Sequence, residues 1–109
     1  MLRRTLREWA EEIHRRAVTK GFGNRPFDAD IALLHSELSE AYEEYRAGHP
    51  LTEDRYDDGK PVGVPSELAD VFIRLMDTCA RWGVDIEKAV QEKLEYNLTR
   101  PYRHGGKIV

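Results

Sequence analysis

Two pairs of acidic residues in this 109-residue chain have a spacing that could build a metal site. Glu37 and Glu40 form one pair and Glu67 and Asp70 the other, each three positions apart. Residues at i and i+3 share one helix face, so antiparallel packing of the two helices would bring four carboxylates together. Because such a cluster repels itself strongly, it favours a hard divalent cation with oxygen ligands. The spacing therefore fits two interpretations equally well: bound Mg²⁺, with Mn²⁺ as a substitute, or an ordinary charged helical bundle.

A third set of polar residues lies near the end of the chain. Lys93, Asn97 and Arg100 recur at i, i+4 and i+7 in the sector of a helix that also carries apolar residues. They are expected to face the core side, although long cationic side chains also snorkel or pair with carboxylates at a core edge. Cations beside a carboxylate–metal cluster are typical of enzymes that act on phosphoanhydrides.

The elements that must position these residues are four predicted helices. Apolar periodicity and stop signals place them at residues 5–20, from 28 or 30 to 47, at 66–82 and at 86–99. Residues 49–64 are polar and rich in proline, which predicts a long irregular connection. The tail from about 101 to 109 is expected to be extended. The chain is thus predicted to be a single all-α domain, residues 1–109, built as a four-helix bundle.

The helix at 66–82 is expected to form the centre of this bundle, with Ser66 as its N-cap. More than half of its circumference is apolar: Leu68, Val71, Phe72, Leu75, Met76, Cys79 and Trp82. Its narrow polar strip must then be satisfied by ion pairs, hydrogen bonds or a cation. One short chain can barely cover such a helix, so a homodimer or homotetramer is expected.

Two features of the first helix have both a functional and a structural interpretation. Trp9 is most simply an anchor of the core or of an interface, and base stacking is the alternative. Glu11 and His14 form an E-x-x-H pair, but di-iron bundles need two such pairs and the sequence has only this one. A solvated helix face is therefore the favoured interpretation of Glu11 and His14.

Composition narrows the functional classes. The formal net charge is −3, which argues against a protein that binds nucleic acid through its phosphates. No apolar run has the length of a membrane span, and the charged N-terminus lacks a signal-peptide core. The single cysteine, Cys79, lies on an apolar face and favours core packing in a reducing cytoplasm.

Several motifs together resemble the all-α nucleotide pyrophosphohydrolase superfamily, and specifically its small MazG-like members. SELSE at 36–40 and ELAD at 67–70 match the family pattern E-E-x-x-E followed by E-x-x-D, with 26 residues between Glu40 and Glu67. The family-like segments also include W-x-x-E-I-H from residue 9, G-K-P-x-G-V-P from residue 59 and K-x-x-x-N-x-x-R-P-x-x-H-G-G-K from residue 93. The chain departs from the pattern at Ser36, where the family has its first glutamate.

The resemblance implies a MazG-like bundle that hydrolyses a nucleoside triphosphate to the monophosphate and pyrophosphate with Mg²⁺. It implies metal ligation by four residues: Glu37, Glu40, Glu67 and Asp70. It also implies phosphate contacts by Lys93, Asn97 and Arg100, catalytic participation of Lys93, and a dimer or dimer of dimers with sites near subunit boundaries. A house-cleaning role, in which non-standard nucleotides are removed, is the expected role of such an enzyme.

Two other functional classes stay open at this point. A non-catalytic helical module that oligomerises through its apolar stripes would explain the periodicity, but not inward-facing Lys93, Asn97 and Arg100. Another metal-dependent nucleotide phosphohydrolase would release inorganic phosphate instead of pyrophosphate. The products of nucleotide hydrolysis separate these classes.

Overall fold

The computed structural model describes residues 3–101, which form four helices and one β-hairpin. The elements are α1 (Leu6–Thr19), α2 (Phe27–Arg46), β1 (Arg55–Asp57), β2 (Lys60–Val62), α3 (Val64–Arg81) and α4 (Ile86–Leu98). The predominantly helical fold confirms the all-α prediction. The tail predicted to be extended lies almost wholly outside the described residues.

Two helices begin where local capping chemistry predicts. Thr5 accepts a hydrogen bond from the Glu8 backbone N–H, and the Glu8 side chain accepts one from the Thr5 N–H, which completes a capping box before α1. Asp85 caps α4 by accepting a hydrogen bond from the Lys88 N–H. These contacts satisfy helix N–H groups that have no partner within the helix.

The starts of α2 and α3 differ from the prediction. Pro26 and Gly63 are the N-cap residues, and neither gives a side-chain cap. Asp30, one of the two capping positions expected where the sequence places the start of this helix at 28 or 30, is buried inside α2 and pairs with Arg81 instead. Ser66 lies within α3, where its hydroxyl donates to the Pro61 carbonyl oxygen at 3.0 Å. Tertiary contacts therefore use the polar side chains that the local pattern assigned to caps.

The connection between α2 and α3 contains a short hairpin, so the prediction of a wholly irregular segment is wrong. β1 and β2 pair antiparallel with Asp57 opposite Lys60, which leaves a two-residue turn. The turn residues, Asp58 and Gly59, both have positive φ, 52° and 82°. Asp-Gly is a strong signal for a tight hairpin turn of this kind, and it was present in the sequence.

Helix α3 is the central element, because α1 and α2 both pack against it. Ion pairs between Asp30 and Arg81 and between Glu37 and Arg74 show that α2 and α3 run antiparallel. Contacts of α1 with α3 run in the same direction along both helices: Trp9 meets Phe72, and His14 meets Asp77. The predicted central position of this helix is thus confirmed.

The core of the single chain is small. Its buried apolar residues are Ala10, Ala41, Val64, Met76 and Cys79. Helix α4 packs against α1 and has no buried residue. The prediction that Lys93, Asn97 and Arg100 face the core of this chain is therefore wrong: all three are exposed. The three residues share a sector of the helix with the apolar stripe of α4, as the sequence predicts. However, no other element within residues 3–101 buries that stripe.

Within the described residues, no helix has the length and apolar character needed to cross a membrane. A cytoplasmic location stays a prediction.

Candidate metal centre

Antiparallel packing of α2 on α3 brings carboxylates from both helices together. Glu37, Glu67 and Asp70 each offer an oxygen, and these oxygens lie within 4.8 Å of one another. Glu40, the fourth predicted ligand, is exposed and stands outside this group. Its carboxyl group nevertheless contributes to raising the pKa of Glu67. We call Glu37, Glu67 and Asp70 the carboxylate cluster.

Two oxygens of the cluster have no protein partner. Oε2 of Glu37 and Oε2 of Glu67 are buried and accept no hydrogen bond from the described residues. The other oxygen of Glu37 accepts a hydrogen bond from Arg74 Nε at 3.1 Å. Buried carboxylate oxygens are normally paired, because their desolvation is otherwise uncompensated. The cluster therefore has ligand capacity that the described residues do not use.

The electrostatic environment of the cluster opposes ionisation. Burial raises the pKa of Glu67, and the neighbouring carboxyl groups of Glu40, Asp70 and Glu37 raise it further. Burial and the charge of Glu37 raise the pKa of Asp70, while Arg74 and Lys60 act in the opposite direction. The nearby cations thus relieve only part of the repulsion among these carboxylates.

The donor set fits a hard divalent cation. All three members offer carboxylate oxygens, which are the ligands that Mg²⁺ and Mn²⁺ accept in proteins. A bound cation would give the two unpartnered oxygens a partner and would lower the raised pKa values. Glu37, Glu67 and Asp70 could therefore hold a metal, with Glu40 close enough to Glu67 to take part in the same electrostatic balance.

A cavity of about 900 Å³ borders the cluster between α1, α2 and α3. Its walls are largely apolar and include Trp9, Ile13, Leu33 and Phe72. Cationic side chains also line it: Arg16, Lys20, Arg25 and Arg74. Glu37 and Asp70 reach the same cavity, so an apolar surface, cations and part of the cluster meet in one space.

A second cavity of about 380 Å³ lies between the hairpin and α3. Asp54, Tyr56 and Pro61 line its hairpin side, and Ser66 and Asp70 line its α3 side. Ala69, Asp70 and Ile73 border both cavities, which makes Asp70 a common wall residue. The hairpin that the sequence analysis missed is thus part of the surroundings of the cluster.

The residues predicted to bind substrate do not all lie at the same site. Trp9 lines the larger cavity, has 39% of its surface exposed and contacts Phe72 edge-on. Lys93 and Asn97 are exposed on α4 and line neither of the two cavities. Arg100 follows α4 and is also exposed. In this chain, α4 does not supply the walls of the cavities at the cluster.

His14 has a role that the sequence analysis did not assign. Instead of lying on a solvated face, its ring Nδ1 is 2.7 Å from Asp77 Oδ1 and joins α1 to α3. Asp77 also accepts a hydrogen bond from Arg81, whose guanidinium contacts both oxygens of Asp30. Asp30 in turn accepts a hydrogen bond from Trp82 Nε1 at 2.7 Å. This network satisfies the polar side chains at the C-terminal end of α3 through ion pairs and hydrogen bonds, whereas Glu67 near its N-terminal end keeps an unpartnered oxygen.

Comparison of the chain with known protein families, curated proteins and solved structures finds no match. The MazG-like resemblance therefore stays a prediction, and the carboxylate cluster and its cavities carry the functional hypothesis.

Proposed function

We propose that this chain is a Mg²⁺-dependent nucleoside triphosphate pyrophosphohydrolase that produces a nucleoside monophosphate and pyrophosphate. The observation that supports it most directly is the carboxylate cluster, in which two buried oxygens have no hydrogen-bond partner among residues 3–101. The MazG-like spacing of the same residues supports the reaction class. House-cleaning of non-standard nucleotides is the proposed role.

Glu37, Glu67 and Asp70 are the proposed metal ligands, with Glu40 as the fourth acidic residue of the site. Bound Mg²⁺ supplies positive charge that offsets the carboxylates and polarises phosphate oxygens. In the reaction, a water oxygen bonds to the α-phosphorus, and the bond from that phosphorus to the α–β bridging oxygen breaks. A carboxylate of the site orients the water and accepts its proton, a task suited by the raised pKa values of Glu67 and Asp70.

The larger cavity is the proposed nucleoside site. Its apolar wall at Trp9 and Phe72 suits an aromatic base, because base–aromatic stacking stabilises binding. Arg16 and Lys20 at the same cavity suit the negative charge of the substrate. Glu37 and Asp70 border this cavity, so a nucleotide bound there would have its phosphates near the proposed metal ligands.

Phosphate contacts by Lys93, Asn97 and Arg100 depend on assembly, since the three residues are exposed on or just after α4. We propose a homodimer or homotetramer in which α4 lies against a second copy. Exposed large apolar residues support assembly, including Leu38 on α2, Leu68 on α3 and Leu94 on α4, all with at least half of their surface exposed. No nucleic acid or membrane partner is proposed.

The test is hydrolysis of mixed deoxynucleoside triphosphates with and without Mg²⁺, with products identified by chromatography. We expect Mg²⁺-dependent release of pyrophosphate and monophosphates, and a loss of at least about 100-fold in turnover for Glu67→Gln. Glu43→Gln is the matched control, because Glu43 is exposed on α2 and pairs with Arg46. Release of inorganic phosphate would indicate a different phosphohydrolase. Absence of turnover with every nucleotide would favour the non-catalytic oligomerisation module.

A further inference from the structure

The larger cavity extends from the carboxylate cluster to a second set of charged residues. Asp70 and Asp77 both line it, and the seven positions between them on α3 correspond to about 10 Å of helix rise. Arg25, in the loop between α1 and α2, also lines the cavity and lies 3.7 Å from Asp77. This length is comparable to the reach of a nucleotide from its α-phosphate to the far edge of its base. A nucleotide with its phosphates at the cluster would therefore have its base near Arg25.

The loop that carries Arg25 is held against the helices. Arg81 of α3 donates to the Phe22 carbonyl oxygen at 2.8 Å and to the Gly23 carbonyl oxygen at 3.3 Å. A Cβ at Gly23 would lie 2.7 Å from a methyl carbon of Val18, so the loop packs closely against the end of α1. The Arg25 side chain is only 18% exposed. Arg25 therefore has a defined place in the cavity wall.

The nitrogens of Arg25 are not equally engaged. Its Nε is 3.2 Å from Asp30 Oδ1, and its Nη2 is 3.7 Å from Asp77 Oδ2 and 3.5 Å from the Phe22 carbonyl oxygen. Within residues 3–101, Nη1 has no hydrogen-bond or ion-pair partner. Because each terminal nitrogen of a guanidinium carries two N–H donors, Arg25 has donors available for a ligand in the cavity.

The charges around Arg25 favour a neutral acceptor over a phosphate group. Asp30 and Asp77 are both within ion-pair distance of Arg25. Both also pair with Arg81, so two carboxylates offset the charges of two guanidinium groups. A guanidinium whose charge is offset attracts an anion less strongly but keeps its hydrogen-bond donors. Arg25 is therefore suited to the base of a nucleotide, at the end of the cavity away from the proposed metal ligands.

We propose that Arg25 selects nucleotides with a 6-oxopurine base, such as guanine or hypoxanthine, by donating hydrogen bonds to O6 and N7. The proposal rests on the pyrophosphohydrolase function and names its substrate class. Both acceptors lie on one edge of the purine, and a planar guanidinium matches that edge. Adenine has an amino group in place of O6, so its donor would face the donors of Arg25. The cavity, of about 900 Å³, has room for a two-ring base against the apolar wall at Trp9 and Phe72.

The first test needs only the wild type and three substrates: deoxyguanosine triphosphate, its 7-deaza analogue and deoxyadenosine triphosphate. The 7-deaza analogue has a carbon in place of N7, so it lacks one acceptor and keeps the shape of the base. With Mg²⁺, kcat/KM for pyrophosphate release should be about 10- to 100-fold higher for the guanine nucleotide than for the adenine nucleotide. It should be about 10-fold higher than for the 7-deaza analogue. Equal kcat/KM for the guanine nucleotide and its 7-deaza analogue would overturn the proposal.

The second test compares Arg25→Met with Arg25→Lys and with the control Arg46→Met. Arg46 is exposed on α2 and pairs with Glu43. In Arg25→Met, the three substrates should have similar kcat/KM, because no donor remains for O6 and N7. Arg25→Lys keeps a positive charge beside Asp30 and Asp77 but lacks the planar fork, so it should fold and still lose the effect of N7. Arg46→Met should keep the wild-type preferences. These preferences are ratios within one protein, so a smaller folded fraction does not change them.

The outcomes separate this inference from the function on which it rests. If the wild type releases pyrophosphate but has no preference for guanine, or Arg25→Met keeps that preference, the Arg25 assignment is wrong and the enzyme stands. Suppose instead that the wild type turns over no nucleotide but binds deoxyguanosine monophosphate more tightly than deoxyadenosine monophosphate in calorimetry. If Arg25→Met then binds the two equally, the base contact stands and the hydrolase does not. If the wild type neither turns over nucleotides nor distinguishes the two monophosphates, both fail.

Discussion

Arg74 of α3 donates a hydrogen bond from Nε to Oε1 of Glu37 on α2, at 3.1 Å, while Oε2 of the same carboxylate is buried and has no partner in the described part of the chain. The ion pair thus engages one oxygen of Glu37 and leaves the other beside Glu67 and Asp70. Because Arg74 also lowers the pKa of Asp70, one guanidinium offsets part of the charge of two cluster residues. The contact that holds α2 to α3 is therefore also part of the proposed metal site.

Replacing Arg74 should make the protein more dependent on metal. In Arg74→Met, the cluster loses the cation paired with Glu37, so the metal-free protein should melt at a lower temperature. The rise in melting temperature at saturating Mg²⁺ should then exceed that of the wild type. Arg46→Met is the control, because its pair with Glu43 is exposed on α2. An Mg²⁺-induced rise equal to the wild-type rise would contradict this reasoning.

Mg²⁺ should stabilise the wild-type protein, and Asp70→Asn should reduce that effect. Binding to the folded state alone stabilises it by about 2.7 kcal/mol at a hundredfold excess of metal over the dissociation constant. Asp70→Asn removes a charged ligand from the cluster, so the melting temperature should respond less to Mg²⁺ and turnover should be abolished. Asp28→Asn, a change at an exposed position of α2, should behave as wild type. A wild-type melting temperature that is unchanged at saturating Mg²⁺ would count against the metal site.

The carboxylate cluster should also make the free energy of unfolding of the metal-free protein depend on pH. Glu67 and Asp70 have raised pKa values when folded, so the folded state retains protons that the unfolded chain has released. Their destabilising contribution is complete above the folded pKa values and is relieved as the pH falls through them. As the pH is lowered from 7 through the raised pKa values, metal-free wild type should therefore gain stability relative to Glu67→Gln, which lacks one titrating group.

Protons and Mg²⁺ compete for the same carboxylates, which gives a second measurement in that pH range. The Mg²⁺-induced rise in melting temperature should shrink as the pH is lowered. A rise that is independent of pH would indicate that the metal binds elsewhere.

The network around Arg81 should contribute strongly to stability. The Arg81 side chain is 7% exposed and lies between Asp30 and Asp77, which are 3% and 8% exposed. Arg81→Leu removes the cation that donates to both oxygens of Asp30 and to Asp77. Arg25, 3.2 Å from Asp30 and 3.7 Å from Asp77, then remains as a nearby cation, so the free energy of unfolding should fall by about 3 kcal/mol. The control Arg15→Leu breaks an exposed pair with Glu12 and should change the free energy of unfolding little. Urea unfolding measures both; equal, small losses would mean that water satisfies the two aspartates.

Assembly should depend on the exposed apolar stripe of α4. Leu94 has 62% of its surface exposed in the single chain, and a charge there would be buried in the proposed interface. Leu94→Glu should shift the protein from dimer or tetramer to monomer by light scattering. Tyr96→Glu is the matched control, because Tyr96 is 61% exposed on the other side of α4. A wild type that is monomeric at micromolar concentration and fully active would contradict the assembly proposal.

Helical periodicity and capping chemistry are local properties, and for that reason much of the fold could be predicted from sequence. The repeat of apolar residues in 66–82 identified the central helix, and the Thr5 and Asp85 caps lie where their side chains predict. The i and i+3 spacing correctly grouped Glu67 with Asp70 on one face, because helix geometry alone fixes that relationship. The Asp-Gly turn is an equally local signal. The hairpin was nevertheless not predicted, because its strands are only three residues long and one of them contains a proline.

Packing between distant segments decides which helix faces meet, and no single stretch of the sequence contains that information. The tertiary structure grouped Glu37 with Glu67 and Asp70 and left Glu40 at the edge, because the relative rotation and shift of α2 and α3 set which side chains converge. It paired His14 with Asp77 across two helices and placed the hairpin beside Asp70, since both line the smaller cavity. It also left the apolar side of α4 uncovered, because periodicity defines a face but does not supply the surface that packs against it.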